Sequence, residues 1–175
     1  MTVVPELPPR PLTLQDVTAL AEADELHRFE LTEGNLVVMP PHPRRHQIIA
    51  TRLGVWLLTH GFLDRTTLST GVRTADDDRN GRTPDIVVAK GDVPPETVWL
   101  AAAEVLLAVE VVSPGSERTD RWVKPREYAD AGIAHFWRVE PDGTVLRFRL
   151  TDGVYTEVGK DPIDALIAGE VPDLS

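Results

Sequence analysis

The chain has 175 residues with 18 basic and 28 acidic side chains, and its formal charge of −10 argues against an unspecialised nucleic-acid coat protein. Its 42% hydrophobic content can close a single core. The absence of cysteine excludes disulfides, thiolate metal sites, iron–sulfur clusters and a cysteine nucleophile, so any chemistry must run on carboxylates, histidines, hydroxyls and lysines, with oxygen- and nitrogen-ligated metals left open.

Four prolines among the first dozen residues, Pro5, Pro8, Pro9 and Pro11, predict an extended arm over residues 1–12, followed by one domain over 13–175. The opening MTVVPELPPRPL lacks the basic flank and apolar stretch of a signal peptide, and no apolar run approaches the ~20 residues that span a bilayer, so a soluble, cytoplasmic protein is expected. Thr13 stands as N-cap before LQDVTALAEAD, where Leu14, Val17, Leu20 and Ala21 share one helical face. RFEL and LVVM flank Glu33-Gly34-Asn35, which is hairpin chemistry because Gly and Asn tolerate positive φ.

From about Arg45 to His60, Ile48, Ile49, Leu53, Trp56 and Leu57 recur at helical spacing, with Gly61 as a stop. Strands are predicted at 67–75 (TLSTGVRTA), 85–90 (DIVVAK) and 105–113 (VLLAVEVVS). Ser116 to Ala131 reads as a second helix, with Pro125 best placed in a first turn, so that the helix proper begins as late as Lys124. AHFWRVE, TVLRFRL and VYTEV follow as strands joined by Asp142-Gly143 and Asp152-Gly153 turns. The order predicts an α/β (α+β) fold, a mixed sheet flanked by helices with hairpins added at both ends.

Glu110 is the anomaly. In LLAVEVV a lone carboxylate interrupts a run that otherwise reads as a buried strand, and an unpaired buried charge costs several kcal/mol. Leu106, Ala108, Glu110 and Val112 share one face of that strand by its two-residue period. Asp85 stands at the mouth of DIVVAK, after Pro84. If the two strands are neighbours, two carboxylates converge as Mg²⁺ or Mn²⁺ requires; the plainer alternative is that Asp85 caps a turn and Glu110 pairs with an arginine. Lys124 and Tyr128, four apart on the following helix, return over the end of the Glu110 strand, where an ammonium could orient water or neutralise developing charge.

RFELTEGNLVVMPPHPRRHQIIATRLGVWLL, TPDIVVAK and LLAVEVVSPGSERTDRWVKPREYADAGIAHFWRVE together resemble the Uma-two family of restriction-endonuclease-like proteins, a branch of the PD-(D/E)XK nuclease superfamily. The resemblance runs from about residue 13 to 158 and implies a restriction-endonuclease-like core and an endonuclease that hydrolyses DNA phosphodiester bonds with Mg²⁺ or Mn²⁺. It makes Asp85 and Glu110 the metal-binding acids. The superfamily's lysine should stand two residues after the second acid, where this chain has Val112; the family offers Lys124 as a migrated replacement. Glu33, with Glu30 as the alternative, matches the acidic hairpin position, and His46 matches the helix-opening histidine; Ser113 and Tyr128 would support them.

His42, His60 and His135 read as ordinary packing or surface residues, Asp76, Asp77 and Asp78 as a solvated loop, and Trp56, Trp99, Trp122 and Trp137 as core or interface packing rather than base-stacking platforms. The competing function is a catalytically degenerate nuclease-like module that binds protein or nucleic acid, motivated by the net acidity and by Val112. Two-fold symmetric DNA makes a homodimer the expected assembly. The acidity is uneven: residues 151–175 hold six acids against one lysine, whereas 42–52 hold three arginines and no acid, and 118–126 four basic residues against Asp120. The two basic stretches open the helices that should flank the site, which predicts local, salt-sensitive phosphate contact.

Overall fold

A computed structural model describes residues 7–24 and 26–174; the part of the predicted arm over residues 1–6 lies outside them. Helix α1 (Leu14–Ala23) opens as expected, with Thr13 and Asp16 closing a reciprocal capping box and Leu14, Val17 and Leu20 buried. Strands β1 (Arg28–Thr32) and β2 (Asn35–Met39) form the predicted hairpin, turning through Glu33 and Gly34 at φ 51° and 78°. Helix α2 (Arg44–Thr59) buries Ile49, Leu53, Trp56 and Leu57.

Residues 67–75 do not form one strand. Ser69 adopts φ 56°, and the run splits into β3 (Thr66–Leu68) and β4 (Gly71–Arg73), which join different sheets. Two short strands without periodic signal, β5 (Gly81–Arg82) and β7 (Trp99–Ala101), complete the first sheet, ordered β2-β1-β5-β4-β7. The second contains β6 (Ile86–Ala89), β8 (Val105–Val111), β9 (His135–Val139), β10 (Thr144–Thr151) and β11 (Val154–Pro162), ordered β11-β10-β9-β8-β6-β3. β8 and β9 are parallel and linked through α3 (Lys124–Asp130), while the other ladders of this sheet are antiparallel. A short α4 (Ile163–Ile167), absent from the sequence reading, closes the chain on α2.

The alternation in β8 separates its faces. Leu107, Val109 and Val111 join the core beneath α2, and Ala108 joins the one beneath α3 with Tyr128, Ile133 and Phe136. Full burial of such side chains stabilises by about 1.5–3 kcal/mol each. Trp56 and Trp137 belong to the core and Trp99 packs beside α1, whereas Trp122 is 75% exposed and lies outside the core. No helix among the described residues is long and apolar enough to cross a membrane.

Pro125 shapes the approach to α3. A proline removes the helical N–H and its ring presses on the carbonyl four residues back. The chain answers with a π-helical turn over Thr119–Val123, in which the Lys124 N–H donates to the Thr119 carbonyl five residues back. The helix thus continues through the proline, and Lys124 starts α3 facing inward.

Gly34 joins the hairpin to the preceding segment: its carbonyl accepts from Leu12 N–H, its N–H donates to Arg79, and a Cβ built on it falls 2.6 Å from Pro11 Cβ. Gly34→Ala should therefore cost about 1–3 kcal/mol in urea unfolding through strain and overlap. Gly61→Ala, also at positive φ but with open space around its Cβ, should cost less.

Candidate active site

The β6–β8 ladder brings the two expected carboxylates together. Ile86 pairs with Val109, so Asp85, one residue earlier, lies across from Glu110. Both are buried, at 3% and 1% exposure. Their surroundings differ. Asp85 Oδ2 accepts from Val111 N–H at 2.8 Å and lies 3.0 Å from His46 Nε2; Oδ1 accepts from Arg28 at 2.9 Å and lies 3.6 Å from His42 Nε2. Glu110 Oε1 accepts from the Tyr128 hydroxyl at 2.6 Å, and Oε2 is 3.0 Å from Lys124 Nζ.

Lys124 is the hub. Its ammonium also meets Glu30 at 3.1 Å and Asp120 at 3.3 Å, and all four groups are buried. Glu30 comes from β1, where Phe29 and Leu31 point to the α1 core and the residue between them points to the opposite face. Arg82 on β5 holds the other Glu30 oxygen at 2.9 Å and makes two bonds to Glu127 of α3. The hairpin acid that enters the cluster is thus Glu30. Glu33 lies past the strand end, exposed in the turn, where its N–H donates to Asn80 Oδ1 and no ion pair ties its carboxylate to the cluster. The turn that made Glu33 prominent in the sequence is what carries it away.

Lys124 and His46 are therefore at the site. The sequence reading missed five further members: Arg28, His42, Arg82, Asp120 and Glu127. Two had a signal. Asp120, Lys124 and Tyr128 repeat at four-residue spacing, and His42 and His46 do the same. Arg28 and Arg82 had none, because their partners come from separate strands and a helix.

The electrostatics follow from burial and number. Around the site, Glu30, Asp85, Glu110, Asp120 and Glu127 face Arg28, Arg82 and Lys124, so five carboxylates meet three permanent cations. Burial pushes Glu110 up despite Lys124, and Asp120, Asp85 and Glu30 push the same way. Asp120 is raised chiefly by burial as well. Burial would discharge Lys124, but Glu110, Glu30 and Asp120 outweigh it and hold the ammonium charged. Asp85 is opposed by burial yet held well below the usual carboxylate range by His46, Arg28 and Val111 N–H. Burial, helped by Arg28, pushes His42 down to about 4, leaving a neutral imidazole at neutral pH.

Two clefts reach the cluster. One of about 360 Å³ opens on Asp85 and His46; another of about 360 Å³ runs between Met39–Pro43 and the Ser113–Ser116 turn to Lys124 and Asp120. His42 lines both.

The family model described as Uma2, "putative restriction endonuclease", matches residues 14–173. The chain belongs to the Uma-two family. A solved structure described as a "putative nuclease" from Anabaena variabilis is similar to it at a TM-score of 0.64 and 20% identity, over 86% of this chain and 83% of that one, which fixes the fold of this Uma-two protein as restriction-endonuclease-like. Among curated proteins nothing matches.

Two outcomes test the electrostatics. Lys124→Met leaves Glu30, Glu110 and Asp120 facing one another without their shared cation, so urea unfolding should show a loss of about 3–5 kcal/mol, whereas Lys160→Met in the exposed C-terminal hairpin should show almost none. His42 stays neutral in the folded chain down to about pH 4 while the unfolded chain takes up a proton near 6.5. The unfolded state then binds more protons between those values, and stability falls as pH is lowered through that window. His42→Gln should flatten that part of the melting-temperature profile.

Proposed function

We propose that this chain is a metal-dependent endonuclease that hydrolyses DNA phosphodiester bonds, with Asp85 and Glu110 as the residues that hold Mg²⁺ or Mn²⁺. The observation that carries the reading is the surplus of buried carboxylate over cation at the strand ends of a restriction-endonuclease-like fold. Two more carboxylates than cations, with burial raising Glu110 so that a proton meets part of the surplus, fit a hard divalent ion that takes the proton's place. Each carboxylate has about four lone-pair sites, so the bonds that Glu110 accepts from Tyr128 and Lys124 leave it able to coordinate. Such an ion, when bound, activates water and polarises the phosphate.

The protein's own groups supply the rest. Tyr128 and Lys124 fix the Glu110 carboxylate from two sides, and Val111 N–H, His46 and Arg28 fix Asp85. Lys124, held charged, cannot take a proton from water; its role is to offset negative charge that develops on the phosphate. The β1 sheet enters through Glu30, which with Asp120 keeps Lys124 at the Glu110 oxygen. Arg44, Arg45 and Arg118 are exposed at the starts of the two flanking helical segments and supply phosphate contact, whereas Arg52 and Arg121 are taken up by Asp164 and Glu140. Two copies would serve the two strands of a duplex.

The competing reading, a degenerate binding module, draws on the existing hydrogen bonds and ion pairs of Asp85 and Glu110. Cleavage separates the two. With Mg²⁺ or Mn²⁺ the purified protein should cut DNA, Asp85→Asn and Glu110→Gln should each slow the reaction on the order of 10²-fold or more, and added salt should inhibit steeply. No cutting with either ion, or wild-type rates in both variants, would sink the nuclease reading.

A further inference from the structure

Four buried side-chain polar atoms among the described residues have no hydrogen-bond partner. Three of them, Arg28 Nε, His42 Nε2 and His46 Nδ1, belong to the residues that surround Asp85. Buried polar atoms in folded proteins are otherwise nearly all satisfied. Of the three, His42 Nε2 faces Asp85 itself, 3.6 Å from Oδ1, and is available to a ligand there, whereas Arg28 and His46 reach Asp85 through their other nitrogens.

We propose that His42, His46 and Asp85 form a second metal site, separate from the carboxylate seat at Glu110, for a borderline first-row divalent ion such as Zn²⁺, Co²⁺ or Ni²⁺. The site goes beyond the nuclease reading, with which it shares Asp85. One ligand atom from each of the three residues lies within 4.8 Å of the others. An ion about 2.0–2.2 Å from its ligands spaces them by roughly 3–4 Å, and Asp85 lies 3.0 Å from His46 Nε2 and 3.6 Å from His42 Nε2.

The imidazoles are adjacent, their rings stacked at 3.6 Å with 3° between planes; each nitrogen lone pair lies in its own ring plane, so one ring turns when both meet a single ion. His42 is held between Pro41 and Pro43, whose backbones have little freedom, and His46 sits in the first turns of α2. Two nitrogens and one oxygen suit zinc, cobalt or nickel, whereas Mg²⁺ keeps oxygen ligands and several waters. Three protein ligands leave a position open, as in sites that bind water or a substrate oxygen, and the adjoining cleft supplies room for it. Loading needs the lone pair of His46 Nε2, so in the loaded state the neutral ring carries its proton on Nδ1, which has no other partner. Arg28 can lean away, since it is partly exposed and already reaches Ser69 Oγ at 3.3 Å.

The test is a Co²⁺ titration of the metal-free full chain, read by visible absorption and calorimetry. The expected result is bound Co²⁺ with a visible band that Zn²⁺ displaces. His42→Ala and His46→Gln should each raise the Co²⁺ Kd read from that band at least about tenfold, while Glu110→Gln leaves the band in place. Circular dichroism checks folding, and the half-buried His42 gives a variant whose fold does not rest on the side chain. No visible band in the wild type, or unchanged Co²⁺ affinity in both histidine variants, overturns the inference. Co²⁺ binding that persists in a protein unable to cut DNA with Mg²⁺ upholds this site and removes the nuclease reading alone.

Discussion

The Lys124 ammonium, enclosed by Glu30, Glu110 and Asp120 at 3.0–3.3 Å, is the interaction on which the rest of the structure depends. It joins three pieces that the chain makes far apart: the N-terminal hairpin, the central strand of the second sheet and the helix that crosses from β8 to β9. Arg82 repeats the join one layer out, between Glu30 and Glu127. Buried ion clusters contribute less to stability than their number suggests, because every charge must first leave water. What this one does is position Glu110 beside Asp85, and it does so with a surplus of carboxylate that a purely structural cluster would not need.

The π-helical turn belongs to the same design. Pro125 would end an ordinary helix where the lysine must face inward. The extra residue in the turn keeps the helix going, and Asp120 and Lys124 still meet across it. A local irregularity of backbone thus serves the placement of a charge, as such turns do at functional sites.

Much of this was legible in the sequence, and the exceptions have physical reasons. The capping box at Thr13, the hairpin, α2 and the buried strand around Glu110 all follow from local chemistry and periodicity, and the structure has each of them. Residues 67–75 were misread as one strand because the switch between sheets is made by a single residue, Ser69, whose positive φ no composition rule predicts. β5 and β7 are two and three residues long, too short to show a period. At the site, Asp85, Glu110 and Lys124 stood out as polar residues at a strand start, in an apolar run and on the following helix, whereas His46, and Glu33 ahead of Glu30, were implied only by the family resemblance. Arg28 and Arg82 could not be found at all, since salt bridges across 57 and 52 residues leave no mark in either segment.

The account's central claim is that the surplus of buried carboxylate at Glu110 is there to receive a divalent ion. Burial keeps Glu110 and Asp120 prone to hold protons, and an ion that takes their place must release them. Calorimetric titration of the full chain with Mn²⁺ near neutral pH, in two buffers of different ionisation heat, measures that release directly. The account predicts saturable binding with net proton release, reduced in Glu110→Gln. Absence of binding, or binding that releases no proton and is indifferent to Glu110, would contradict it.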